Sequence, residues 1–195
     1  MLAAAGATVL SWPAPPASAS PRGAGDPPPA RTVTAPGAPA SPRQVLPAPP
    51  PAPRTVAVPR LAVSAALVEV GLAADRTLEV PPDADVPGWW SGGARPGEPG
   101  PVVVVGHVDS RTGPGVFARL SDLRPGDLVA LGLEDGGTAS YSVTEVRAVP
   151  KAGFPTLEVF GAEPGDVLRL ITCGGAFDRA SRSYAENVVV TAVRR

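Results

Sequence analysis

One cysteine and one histidine occur in this chain of 195 residues, Cys173 and His107, and each ends an apolar run that opens beside glycine. Cys173 closes DVLRLITCGG, Asp166 to Gly175, and His107 closes PVVVVGH within PVVVVGHVDS. A free thiol is mostly protonated at neutral pH and attacks a carbonyl only when a neighbouring base or cation favours the thiolate, a task that usually falls to histidine. Because each residue occurs once, any Cys/His site in this chain must be Cys173 with His107. Acyl chemistry also requires a group that stabilises charge on the tetrahedral intermediate. The segment GGAFDRASRSYAEN after the cysteine offers Arg182 and Arg179, and the backbone N–H groups of Gly174 and Gly175 are further donors. The ordinary alternatives are an inert buried thiol, a hydrogen-bonded core histidine and solvated surface arginines.

These side chains need strands to carry them. Four consecutive valines before His107 imply a strand buried on both faces. RTVAVPRLAVSAAL alternates around Val56, Val58, Leu61 and Val63, with Pro59 marking an edge or a bulge. LVEVGL and TLEVP read as two more short strands. The Gly/Pro-dense loop DVPGWWSGGARPGEPG holds Trp89 and Trp90, read as a core lid or loop anchor, with a substrate-groove wall as the alternative. GPGVFARLSDL, residues 113–123, places Val116, Phe117, Leu120 and Leu123 on one face of a short helix with Pro114 in its first turn. A strand from Asp127, a hairpin turn at Asp135–Gly136 and a returning strand from Tyr141 follow. The phase of that returning strand changes near Glu145, which predicts a bulge. KAGFPTLEVFGAEPGD reads as loop, and the Cys173 strand and a last strand at Val188–Val193 complete the chain. Seven or eight short strands, one short helix and many glycine turns predict a small mixed β-barrel.

Composition divides the chain. Fifteen of the 27 prolines precede Arg54, whereas eight of the nine aromatic residues follow Gly88, so the folded domain is expected over 54–195. Residues 1–20 carry an apolar run, Leu2 to Leu10, and the small residues Ala17-Ser18-Ala19, which predicts a truncated export signal or anchor without a positive leading region. That run is too short to span a bilayer. Residues 21–53 predict a disordered Pro/Ala-rich linker, whose reach at ~3.1 Å per residue is roughly 100 Å. A formal net charge of −1 without basic runs gives no support for a nucleic-acid partner. A single cysteine excludes an internal disulfide. Asp109, Asp122, Asp127 and Glu134 lack calcium-loop spacing, and the chain has neither a phosphate-binding glycine loop nor a G-x-S-x-G serine elbow.

LRLITCGGAFDRASRSYAENVVV, GHVDSRTGPGVFARLSDLRPGD and KAGFPTLEVFG together resemble the sortases, and most of all the class F sortases of high-GC Gram-positive actinobacteria. TLEVPPDADVPGWWSGGARPGEPG is similar to the segment before the catalytic histidine of that class, and the resemblance spans roughly Arg54 to Val193. It implies a mainly β, eight-stranded barrel with one or two short helices. It also implies a cysteine transpeptidase that cleaves a C-terminal LPXTG-type sorting signal between Thr and Gly and passes the acyl group to an amine, in housekeeping members that of a cell-wall precursor. The resemblance makes Cys173 the nucleophile, His107 the general acid/base and Thr172 a supporting residue. Family spacing of the arginine selects Arg182, nine residues past the cysteine, with Arg179 as the fallback; at thirteen residues stands Glu186. No cofactor and no metal are implied. The location implied is extracytoplasmic, membrane-associated or secreted, with surface proteins as substrates. The alternatives are a hydrolase of the same fold that uses water as acceptor, and a catalytically silent barrel that binds wall peptides.

Overall fold

The structure is a computed structural model that describes residues 48–195. The expected export segment and nearly all of the Pro/Ala-rich linker lie outside the described residues.

Nine strands form one sheet: β1 (Pro53–Val58), β2 (Val63–Ala66), β3 (Val68–Val70), β4 (Gly88–Trp90), β5 (Gly100–Val105), β6 (Leu128–Leu133), β7 (Thr138–Pro150), β8 (Asp166–Asp178) and β9 (Ser183–Arg194). Their lateral order is β2-β1-β6-β7-β9-β8-β5-β4-β3. The two outermost strands of that order, β2 and β3, are separated in the chain by Leu67 alone. The sheet must therefore roll round until its margins meet at that residue, and this gives a nearly closed barrel. Closure leaves little strand edge open to pairing with other chains.

Alternation along the strands separates an inside from an outside. Val102 and Val104 of β5, Leu168 and Leu170 of β8, and Val190 and Ala192 of β9 join Val56, Val129, Leu131 and Tyr141 in the interior core. Their neighbours on the opposite face, Val103, Val105, Ile171 and Val189, form a second apolar cluster with Val70, Val149 and Val159. Each buried aliphatic side chain contributes about 1.5–3 kcal/mol. The run of four valines thus has both faces covered, as its composition predicts: every residue of β5 is buried.

The second cluster is roofed by α1 (Thr156–Phe160) and by Phe154, Phe160, Trp90 and Leu78. This corrects the loop reading of KAGFPTLEVFG, since five helical residues are too few to show a periodicity. The helix predicted over 113–123 is only a 3-10 turn at Leu120–Asp122. The backbone before it is committed elsewhere: Phe117 N–H donates to the His107 carbonyl at 2.9 Å and Gly115 N–H to that of Val108 at 3.0 Å. Phe117 and Leu120 are nevertheless fully buried, so the apolar spacing locates the core contact but not the helix.

Two strand assignments also change. The Trp-Trp loop is partly a strand, with Trp89 opposite Val104 of β5 and Glu69 of β3. TLEVP forms only a Leu72–Leu78 bridge. The hairpin turn at Asp135–Gly136 and the bulge between Val143 and Glu145 are present where the pattern predicts them. Pro59 stands in a 3-10 turn, Pro59–Leu61, between β1 and β2.

Candidate active site

β5 and β8 run parallel, and Val105 is paired with Ile171. His107 and Cys173 each lie two residues beyond that pair. Period-two alternation therefore puts both side chains on the outer face of the sheet, abreast, where the second apolar cluster ends. Gly106 N–H donates to the Ile171 carbonyl at 3.1 Å beyond the paired residues. His107 and Cys173 are half-buried and line one cleft of about 410 Å³. Leu78, Val80, Phe154 and Phe160 give it an apolar wall, and Asn187 also lines it. A recess of about 260 Å³ adjoins the cleft and shares Arg76, Leu78, Thr156 and Phe160 with it, adding Trp90 and Leu72. Of the paired tryptophans, Trp89 is buried in the interior core, and Trp90 packs against the second cluster and lines this recess.

His107 Nε2 lies 2.7 Å from the carbonyl oxygen of Pro81. A carbonyl oxygen only accepts, so Nε2 carries the proton, and Nδ1 is the ring nitrogen left to exchange one. Nothing in the sequence marked Pro81 for this role, because the group involved is a backbone carbonyl. The segment read as a strand, TLEVP, in fact runs along the cleft and ends at this contact. Behind Cys173, Tyr184 donates its hydroxyl hydrogen to Asp109, two residues past His107. This bond joins the β8–β9 hairpin to the segment that follows His107. The Asp109 hydrogen bond, with smaller contributions from desolvation and from the Asp109 charge, holds the Tyr184 hydroxyl above its ordinary value of 10.0.

The other predicted residues lie apart from the pair or face away from it. Arg179 and Arg182 are exposed at the turn of the β8–β9 hairpin, beyond the Asp178–Ser183 pair, and neither lines the cleft. Arg182 has a left-handed backbone, φ 52°. The strand from Cys173 to Asp178 carries a bulge between Gly174 and Phe177, and along its partner the four steps from Asn187 to Ser183 span roughly 13 Å at ~3.3 Å per residue. Thr172 is buried, and no hydrogen-bond partner of its Oγ1 is found among the described residues. Gly174 pairs with Glu186 of β9. Arg76 is the sole arginine, lysine or carboxylate side chain lining the cleft, and it forms no ion pair among the described residues. Sequence spacing gave no sign of it.

The Sortase domain family matches residues 56–195. The chain belongs to the sortase family. It is accordingly an enzyme of the cysteine transpeptidase type. Solved sortases share the fold. Sortase C-1 from Actinomyces oris has 23% sequence identity and a TM-score of 0.55, covering 72% of each chain. Sortase A from Corynebacterium diphtheriae, a lid mutant, has 22% identity and a TM-score of 0.56 over 74% of this chain and 70% of its own. Sortase C1 from Streptococcus agalactiae has 17% identity and a TM-score of 0.57 over 72% and 66%. No curated protein matches the sequence.

Proposed function

We propose that this sortase is of the class F type, cleaves LPXTG-type sorting signals between Thr and Gly through a thioacyl-enzyme on Cys173, and transfers the acyl group to an amine. The observation that carries the reading is the meeting of Cys173 and His107, borne by adjacent parallel strands, in one cleft with an apolar wall. Leu78, Val80, Phe154 and Phe160 suit the Leu-Pro part of such a signal, and a five-residue extended peptide spans only about 17 Å.

The thiol proton passes to His107 Nδ1, while the Nε2–H bond to the Pro81 carbonyl steadies the ring in either charge state. The sulfur attacks the Thr carbonyl carbon, and the carbonyl electron pair moves to oxygen. Collapse of this intermediate restores the carbonyl and expels the Gly amine, which takes its proton from His107. An incoming amine then loses a proton to His107, attacks the thioester and releases the Cys173 sulfur. The enzyme acts outside the cytoplasm, on surface proteins carrying the signal, with a cell-wall precursor as amine donor and membrane association through the N-terminal region. Among the described residues no helix is long and apolar enough to cross a membrane.

Mass spectrometry of the full chain incubated with an LPXTG-type peptide is expected to show an acyl adduct on Cys173. Cys173→Ala and His107→Ala are each expected to abolish cleavage. Retained turnover in either variant refutes the scheme, and adding an amine separates ligated from hydrolysed product.

A further inference from the structure

The oxyanion of this reaction needs a donor beside the sulfur, and the two arginines stand at the hairpin turn, outside the cleft. The ladder shows what stands there instead. Cys173 of β8 is directly opposite Asn187 of β9. The backbone of Ile171 faces β5, because its carbonyl accepts from Gly106, and that of Ala185 faces β7, because its carbonyl accepts from Lys151 N–H at 3.0 Å. In an antiparallel ladder hydrogen-bonded and non-hydrogen-bonded pairs alternate. Both contacts give the same phase: Gly174–Glu186 is the hydrogen-bonded pair and Cys173–Asn187 the non-hydrogen-bonded one. Two consequences follow. The Gly174 N–H is directed to Glu186 across the ladder rather than to a substrate. The Cys173 and Asn187 Cα atoms take the closer spacing of about 4.5 Å, at which facing side chains touch.

Asn187 is half-buried, lines the same cleft as Cys173 and His107, and donates no side-chain hydrogen bond among the described residues. We infer that the Asn187 side-chain amide is the oxyanion donor of this sortase, a neutral N–H group doing the work expected of a guanidinium. This rests on the thioacyl mechanism proposed above. As the Sγ–C bond forms, the carbonyl pair moves to oxygen and accepts the Asn187 Nδ2–H. As the C–N bond breaks, the pair returns to the carbonyl, the hydrogen bond weakens, and the amide is left unchanged.

The test uses the full chain and a fluorogenic sorting-signal peptide. Asn187→Ala is expected to lower kcat about 100- to 1,000-fold with KM within about threefold, since the donor acts chiefly on the tetrahedral species. Asn187→Asp, similar in shape but without the donor when ionised, is expected to fall alongside it. Arg182→Ala and Arg179→Ala are expected to stay within about threefold of the parent. Two measurements separate catalysis from mere support of the sulfur. Alkylation of Cys173 by iodoacetamide, which builds no oxyanion, is expected to proceed at the parental rate in Asn187→Ala. Inhibition by a peptide aldehyde, whose hemithioacetal oxygen occupies the oxyanion position, is expected to weaken markedly in that variant. The inference is overturned if Asn187→Ala keeps kcat within threefold, or if alkylation slows in proportion to kcat. A parent chain that forms no acyl adduct overturns the mechanism and the inference together; an adduct with an undiminished Asn187→Ala overturns the asparagine alone.

Discussion

Replacing Gly106 by alanine tests how His107 is held. A Cβ at position 106 would stand 2.6 Å from Phe117 Cδ2 and 2.8 Å from Val116 Cγ1, both well inside van der Waals contact. Phe117 is fully buried and its N–H is bound to the His107 carbonyl at 2.9 Å, so the ring cannot retreat without pulling the histidine backbone. The alternative is for the Gly106 backbone to move outward, which loosens its 3.1 Å bond to Ile171 on the cysteine strand. Overpacking of this kind costs about 1–3 kcal/mol, equivalent to a fall of about 1 M in the urea midpoint. A displacement of the imidazole by about 1 Å adds a loss on the order of 100-fold in kcat/KM. Urea unfolding followed by fluorescence, paired with peptide cleavage, reads both quantities. Phe117→Leu removes ring atoms from the clash, so the damage done by Gly106→Ala should shrink in that background, with a coupling of about 0.5–3 kcal/mol. Strict additivity, or a Gly106→Ala enzyme of parental stability and rate, refutes the claim that this glycine is present to let Phe117 reach the His107 loop.

Two further outcomes bear on the elements that brace the site. Tyr141 donates to Asp166 at 2.8 Å at the opposite end of β8 from Cys173, where Gly97 N–H also reaches that carboxylate; Tyr141→Phe should lower unfolding free energy by about 1.5–3 kcal/mol and leave kcat/KM unchanged, as unfolding and cleavage assays would show. Tyr184 should titrate above its ordinary 10.0 in an ultraviolet or NMR titration, and Asp109→Ala should bring it down. Because the folded value is the higher one, the bond's contribution is complete below the unfolded value and is lost as pH rises through the folded one; a Tyr184 titration unchanged in Asp109→Ala would contradict the bond.

The strands that carry chemistry were legible because their signals are local. Four consecutive valines imply a strand covered on both faces, the parity change near Glu145 implies a bulge, and both are present. Single occurrence of cysteine and histidine identified the pair before any geometry was known. What the pattern did not carry lies in contacts between distant segments. Whether residues 113–119 become helical depends on the His107 and Val108 carbonyls, which capture Phe117 and Gly115 N–H groups, and no pattern within the segment encodes that competition. Arg182, which family spacing selects, lies nine residues past Cys173 at the hairpin turn, whereas fourteen residues return the chain to Asn187, opposite the sulfur. Along an antiparallel pair, distance in sequence and distance in space part company as soon as the turn is passed.

That separation also divides the labour within the site. Cys173 and Asn187 belong to β8 and β9, and His107 continues β5, three strands lying side by side in the sheet with hydrogen-bonded neighbours beyond them. Their relative positions are set by ladder register, and a one-residue slip would turn every buried side chain of the slipped strand to the opposite face. The cleft wall is differently made. Leu78 and Val80 come from a segment joined to its surroundings by an isolated bridge, and Phe154 precedes and Phe160 ends a five-residue helix whose Leu157 is 88% exposed. Few ladder bonds bind these segments, which are held instead by packing on the second apolar cluster. The arrangement leaves the groups proposed for bond breaking on laddered strands, and places the apolar wall proposed for peptide recognition on segments with fewer ladder bonds.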